Sequence, residues 1–267
     1  MKPTKTCHYG NNIVYIYDSA SVLKRAATEH IVRYAVGKSA KKPVFSMALS
    51  GGSTPIDIYK GLVSEKWMTT FPWPQSYFIF GDERYVPHDH EQSNYRMAME
   101  AFLHTAPVEK DHIYPVPTHC EHPEDCAGMY ERQLKELPGS GGTDEIADGI
   151  PGIDLILLGM GDDGHTASLF PGTEILKESE SAVAAVYVDK LDSWRISMTF
   201  PIINKAKQVM VLVAGDAKSQ VFADIMLADV RSANGMSTGE EKYPIQMINN
   251  PNGMLWFVDQ RAASRLG

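Results

Sequence analysis

At 267 residues, with 43% hydrophobic and 22% charged side chains, the chain is long enough to bury a substantial core and too apolar to be disordered. Its 25 basic and 33 acidic residues leave a net charge of −8, which argues against a nucleic-acid partner but permits a small anion held by a local cluster of donors. No apolar run reaches the roughly 18 residues of a membrane span, no secretory signal opens the chain, and three cysteines (Cys7, Cys120 and Cys126) argue against a disulfide framework and fit a reducing, cytoplasmic compartment.

The first strand is expected at Ile13–Tyr17. Asp18 or Ser19 then offers a cap for a long amphipathic helix, with Val22, Leu23, Ala26, Ile31, Tyr34 and Ala35 near helical spacing. Val44–Leu49 reads as a second strand, followed by a helix from Pro55 that carries Ile56, Tyr59 and Leu62 on one face. Tyr77–Phe80 is a third strand, and helices are expected at Asn94–Leu103 and Glu124–Leu137. Pro138–Pro151, rich in Gly, Asp and Ser, reads as a surface loop. Ile153–Leu158 is apolar throughout and suggests a strand buried on both faces. Further strands are expected at Val183–Val188, Arg195–Phe200, Val209–Val213 and Leu255–Val258, with a helix at Ala217–Leu227 and an irregular polar stretch at Ser232–Glu241.

Alternation of strands and helices implies an α/β fold: a three-layer, Rossmann-like, largely parallel sheet with helices on both faces. No repeat or sharp change of composition divides the chain, so residues 1–267 are read as one domain. In such folds ligands sit beyond the carboxyl ends of the strands. Three unusual segments follow expected strands.

The first is Ser50-Gly51-Gly52-Ser53-Thr54-Pro55. Its glycines allow a tight turn and close backbone approach, Ser53 and Thr54 carry hydroxyls, and the helix start behind them favours an anion. A plain glycine turn with a Ser/Thr cap would look the same. The segment lacks the Gly-Lys-Ser/Thr ending of a nucleotide loop and the Gly-x-Gly-x-x-Gly spacing of a dinucleotide site, so a small phosphate ester fits better. The second segment is Gly81-Asp82-Glu83-Arg84. Arg84 can hold an oxyanion or phosphate through its planar fork, and Asp82 and Glu83 could orient it or act on a proton. A solvated strand end with local ion pairs is the bland alternative. The third runs from Gly159 to Ser168 and carries Asp163 and His165 among three glycines. A histidine there can titrate near neutral pH, and Asp163 could orient its ring. Without a Gly-x-Ser-x-Gly elbow, water is the expected nucleophile. His88, His90, His104, His112, His119 and His122 are read as surface or packing residues.

Together, residues 48–55, residues 81–95 with Ser93-Asn94-Tyr95, and residues 159–173 resemble the three sequence blocks of the 6-phosphogluconolactonase family, in order and spacing. The resemblance covers most of the chain and is weaker over 1–11, 139–150 and 231–243. It implies a metal-free, cofactor-free hydrolase of the oxidative pentose phosphate pathway that converts 6-phospho-D-glucono-1,5-lactone to 6-phosphogluconate, as a monomer or homodimer. His165 would be the general base and Arg84 would steady the oxyanion or position the lactone. Arg195 and Lys218 would hold the phosphate with Gly51, Gly52, Ser53 and Thr54, and Asp82 would lie in the same site.

Three rival readings remain. The glucosamine-6-phosphate deaminases share a similar phosphate loop and Asp-Gly-His turn, but continue with an Asn-Glu-Pro element where this chain has Ser168-Leu169-Phe170-Pro171. A non-catalytic sugar-phosphate sensor would need the loop but not Asp163 and His165. His119, Cys120, His122 and Cys126 offer zinc-type ligands, at a spacing that matches no common zinc module.

Overall fold

A computed structural model describes residues 1–138, 149–233 and 243–266 of the chain. Most of the expected 138–151 loop and of the 232–241 stretch falls outside these residues. Eleven strands are described: β1 (Lys5–Tyr9), β2 (Asn12–Tyr17), β3 (Phe45–Leu49), β4 (Ser76–Phe80), β5 (Asp82–Arg84), β6 (Ile113–Tyr114), β7 (Leu155–Gly159), β8 (Val183–Val188), β9 (Ser193–Met198), β10 (Val209–Val213) and β11 (Met254–Asp259). The helices are α1 (Ala20–Ser39), α2 (Ser53–Leu62), α3 (Glu65–Met68), α4 (Asn94–Ala98), α5 (Pro123–Lys135), α6 (Phe200–Lys205) and α7 (Ser219–Ala233).

Eight strands form the main sheet in the order β1-β2-β11-β10-β7-β3-β4-β6. Only β1 runs antiparallel to its neighbour. From β3 the chain steps one way, to β4 and β6; from β7 it steps the other way, to β10 and β11. Right-handed crossovers in opposite directions put α2 and α7 on opposite faces of the sheet. α1 packs on α2 and against β2, β3 and β11. The reversal lies between neighbours β3 and β7, where a crevice opens at the carboxyl ends of the strands.

The sequence supports these elements locally. Val209–Val213 is buried at every position, as a central strand covered on both faces requires. Ser19 caps α1 by accepting from the Val22 N–H at 3.4 Å. α2 starts two residues earlier than the expected Pro55, after Gly52 at φ +101°. The helix expected over 94–103 forms, its second half a wider π-helical turn at Met99–Leu103. The strand expected at Arg195–Phe200 lies two residues earlier, because Phe200-Pro201 opens α6 behind an extended Thr199.

The main departure is a second sheet. β5, β9 and β8 pair antiparallel, and α5 packs on β8 and β9. The chain leaves the main sheet at Gly81, whose N–H donates to Leu49 O and whose carbonyl accepts from Met198 N, both at 2.8 Å. The charged block expected at a strand end is therefore itself a strand.

β3 and β7 are clasped at their start. Buried Asp154 accepts from the Ser46 N–H (2.9 Å) and hydroxyl (3.3 Å), its own N–H donates to the Ser46 hydroxyl (3.0 Å), and Lys42 Nζ lies 2.7 Å from it. Asp154→Ala would orphan the Ser46 N–H and the Lys42 charge. The expected cost is about 2–4 kcal/mol, read as a lower midpoint in chemical denaturation. A change of under about 1 kcal/mol would mean that water replaces the carboxylate.

One cysteine expectation needs correction. Cys120 and Cys126 form a disulfide, and Cys7 alone is free. The segment after β6 folds back on the first turn of α5, bringing the two Cα atoms to 5.7 Å. The bridge leaves neither sulfur as a thiolate, so the His119–Cys126 cluster loses its zinc-type character. Among the described residues, no helix is long and apolar enough to cross a membrane.

Candidate active site

The three segments meet in one cavity of about 310 Å³ at the β3/β7 reversal. The loop after β3 supplies Ser50 to Pro55, the second sheet Asp82 and Arg84, the turn after β7 Gly159 to Gly161 and His165 to Ala167, and β10 with its following turn Leu212, Ala214 and Lys218. A volume near 300 Å³ suits a small polar metabolite.

The glycine loop is held from below. The buried Tyr59 hydroxyl, on α2, accepts from Ser50 N and donates to Ser50 O, both at 2.9 Å. Its phenol is pushed up by burial and stays protonated. Gly51 is required for space: a Cβ there would fall 2.1 Å from Asn94 Oδ1. Asn94 Nδ2 in turn donates to Asp82 O at 2.9 Å, and Asp82 Oδ2 accepts from Ser168 Oγ at 2.7 Å. Asp82 thus ties the second segment to the third by hydrogen bonds, while Asn94 stands directly against Gly51 of the first.

Glu83 takes neither role expected of it. It is fully buried and accepts from the backbone N–H groups of Arg84, Asn94 and Tyr95 at 2.7–2.8 Å and from the Ser93 hydroxyl at 3.1 Å. It caps α4 and neither orients a side chain of the cavity nor reaches a ligand. Burial raises its pKa, and the backbone donors pull against that rise. Arg84 is anchored through Nη1 to the Gln92 carbonyl, not to Asp82 or Glu83. Among the described residues no carboxylate pairs with it, which leaves its charge to the cavity.

Arg195 is the Cα partner of Arg84 across β5 and β9, so the two side chains rise from one face. It is 8% exposed, and Nη1 has no partner among the described residues. Burial, then the Arg84 charge, lowers its pKa. It is buried and does not line the cavity, whereas Arg84 and Lys218 do.

The histidine turn is closed by Gly161 N donating to His165 O at 2.8 Å, with Gly164 at φ +72°. Asp163 Oδ1 meets His165 Nδ1 at 2.5 Å and accepts the His165 N–H at 3.1 Å. The ring stacks on Phe170 with centroids 4.1 Å apart. Burial pushes the Asp163 carboxyl up, but bonds from Lys190 and His165 outweigh it and hold the group well below the usual carboxylate range. An ionised Asp163 accepts, so Nδ1 carries the proton and Nε2 is the basic nitrogen.

Sequence reading missed four features of the site. Ser50 Oγ is buried with no partner among the described residues. Asn94 links two segments. Ala167 lines the cavity at φ +47°, a conformation that a non-glycine residue holds only under constraint. Lys190, at the tip between β8 and β9, pairs with Asp163. Ser50, Asn94 and Ala167 lie within the three sequence blocks but were assigned no role there, and Lys190 has no local sequence signal.

The family of glucosamine-6-phosphate isomerases and 6-phosphogluconolactonases matches residues 18–257. A 6-phosphogluconolactonase of Synechocystis sp. is 36% identical over 221 residues, which cover 83% of this chain and 84% of that protein. The solved 6-phosphogluconolactonase of Trypanosoma cruzi superposes with a TM-score of 0.80 at 29% identity, covering 95% of this chain and 96% of that one. The Trypanosoma brucei enzyme gives 0.79 at 28%, covering 95% and 98%. A monomeric glucosamine-6-phosphate deaminase at 18% identity and TM-score 0.72 shares the fold. On the extent of the match, the chain belongs to the glucosamine-6-phosphate isomerase/6-phosphogluconolactonase family.

Proposed function

We propose that this chain hydrolyses 6-phospho-D-glucono-1,5-lactone to 6-phospho-D-gluconate. The observation that carries the reading is the Asp163–His165 pair, beside a cavity that holds a glycine loop and the cations Arg84 and Lys218, neither of which meets a carboxylate among the described residues. The names of the relatives agree with it. Nε2 of His165 takes a proton from water, and the water oxygen attacks the lactone carbonyl carbon. Arg84 steadies the oxyanion that forms on the carbonyl oxygen. When the tetrahedral intermediate collapses, the bond from that carbon to the ring oxygen breaks and His165 returns the proton to the leaving oxygen. The distal phosphate lies against the backbone of Gly51 and Gly52, the hydroxyls of Ser53 and Thr54, and Lys218, with Arg195 adding positive charge. Holding the phosphate fixes the ester carbon beside the base.

The test uses freshly generated lactone at neutral pH with EDTA present. Hydrolysis well above the spontaneous rate supports the reading; no acceleration rejects it. Lys218→Met is expected to raise KM by about tenfold to a hundredfold with a smaller change in kcat, as loss of a charged hydrogen bond to the phosphate requires. With unphosphorylated glucono-1,5-lactone the same variant should match the wild type. Equal losses on both substrates would take Lys218 away from the phosphate.

A further inference from the structure

We infer that Lys190 is a positioning residue that locks the Asp163 carboxylate onto His165 and offsets its negative charge. The inference rests on His165 being the base. Lys190 occupies the tip of the β8–β9 hairpin, where Asp192 turns the chain at φ +47°. Its ammonium bonds Asp163 Oδ2, while Oδ1 is taken by the ring and backbone nitrogens of His165. Both carboxylate oxygens are therefore committed, and the group has no free rotation. The ammonium also lies 4.6 Å from the centroid of Phe170, the ring on which His165 stacks. An exposed ion pair is ordinarily worth little. This one differs because its carboxylate is shared with the base and is only 26% exposed.

The hairpin joins the two halves of the site. Tyr187 and Trp194 pair across it with ring centroids 5.4 Å apart, and β9 continues from Trp194 directly into Arg195. The strand that carries Arg195 thus also fixes where Lys190 stands.

The electrostatic sign follows from the neighbours. An unopposed Asp163 carboxylate would favour a protonated imidazole and so a blocked base. Lys190 cancels part of that field. Among the described residues, the other charges on the elements facing His165 are Asp162 on its own turn, Arg84 and Lys218 across the cavity, and Asp189 and Asp192 on the hairpin that carries Lys190. Tyr243 packs on Gly164, and it and Phe170 are uncharged at neutral pH. Among the described residues, Lys190 is the one cation besides His165 itself that meets the carboxylate holding the ring.

The experiment measures kcat/KM against pH for wild type, Lys190→Met and Lys190→Arg, together with NMR titration of the His165 imidazole in each. Lys190→Met is expected to move the acid limb and the imidazole titration to higher pH by about half a unit to one unit, a modest shift because the ammonium is partly solvated. Lys190→Arg should restore the wild-type limb, and KM should stay put because Lys190 does not line the cavity. Coincident titrations in wild type and Lys190→Met would overturn the inference, as would a loss of rate at every pH without a moved limb. A moved titration with no acid limb in the rate would instead overturn His165 as base and leave the coupling standing.

Discussion

His165→Ala lowers kcat for lactone hydrolysis by about 10²–10⁴-fold, the contribution of a positioned general base. That range corresponds to about 3–5 kcal/mol of barrier. On the proposed mechanism, the residual rate comes from the groups that remain in the cavity, Arg84 and the glycine loop. KM should change little, because the groups assigned to substrate binding lie on other elements. The fold should survive, since the ring is 28% exposed and its removal leaves Asp163 paired with Lys190. The measurement is the initial rate on freshly made lactone, corrected for spontaneous hydrolysis, beside a thermal melt of both proteins. An unchanged kcat with an unchanged melt would mean that another group, or water alone, takes the proton.

The three segments were legible because each breaks an apolar strand with glycines or charges at its carboxyl end. In a parallel sheet those ends share one edge, so elements far apart in sequence converge. Legibility ended where a side chain's role depends on a partner brought in by tertiary structure. Glu83 looked like a cavity residue because it sits between Asp82 and Arg84. Its carboxylate points instead to Ser93, Asn94 and Tyr95, an N-terminal cap that a charge run does not announce. Asp82 finds Ser168 from the third segment, and Asp163 finds Lys190 from a hairpin tip with no motif of its own. The separate sheet β5-β9-β8 was missed for a related reason: periodicity marks strands at 183–188 and near 195 but does not say which sheet they join. The disulfide also depends on a fold-back that a cysteine count does not encode.

Gly161→Ala should disable the site nearly as far as removing the base, by about 10²-fold or more, the scale of loss when a reacting group is displaced by about 1 Å. Gly161 is outside the left-handed region, so alanine can adopt its backbone; the obstacle is space. A Cβ there would fall 2.0 Å from His165 Nδ1, 2.3 Å from its Cε1 and 2.6 Å from Asp163 Oδ1. Real atoms do not approach that closely, so the ring and the carboxylate must both move away from their bonded positions. The ring has a route outward because it is partly exposed, so the loss should appear in kcat far more than in stability. Combining the two substitutions separates this account from a general loosening of the turn. If the methyl acts by evicting the imidazole, His165→Ala/Gly161→Ala is no slower than His165→Ala alone, since one group cannot be lost twice. A double variant slowed by the product of the two single effects would mean that Gly161 serves the reaction through something other than His165.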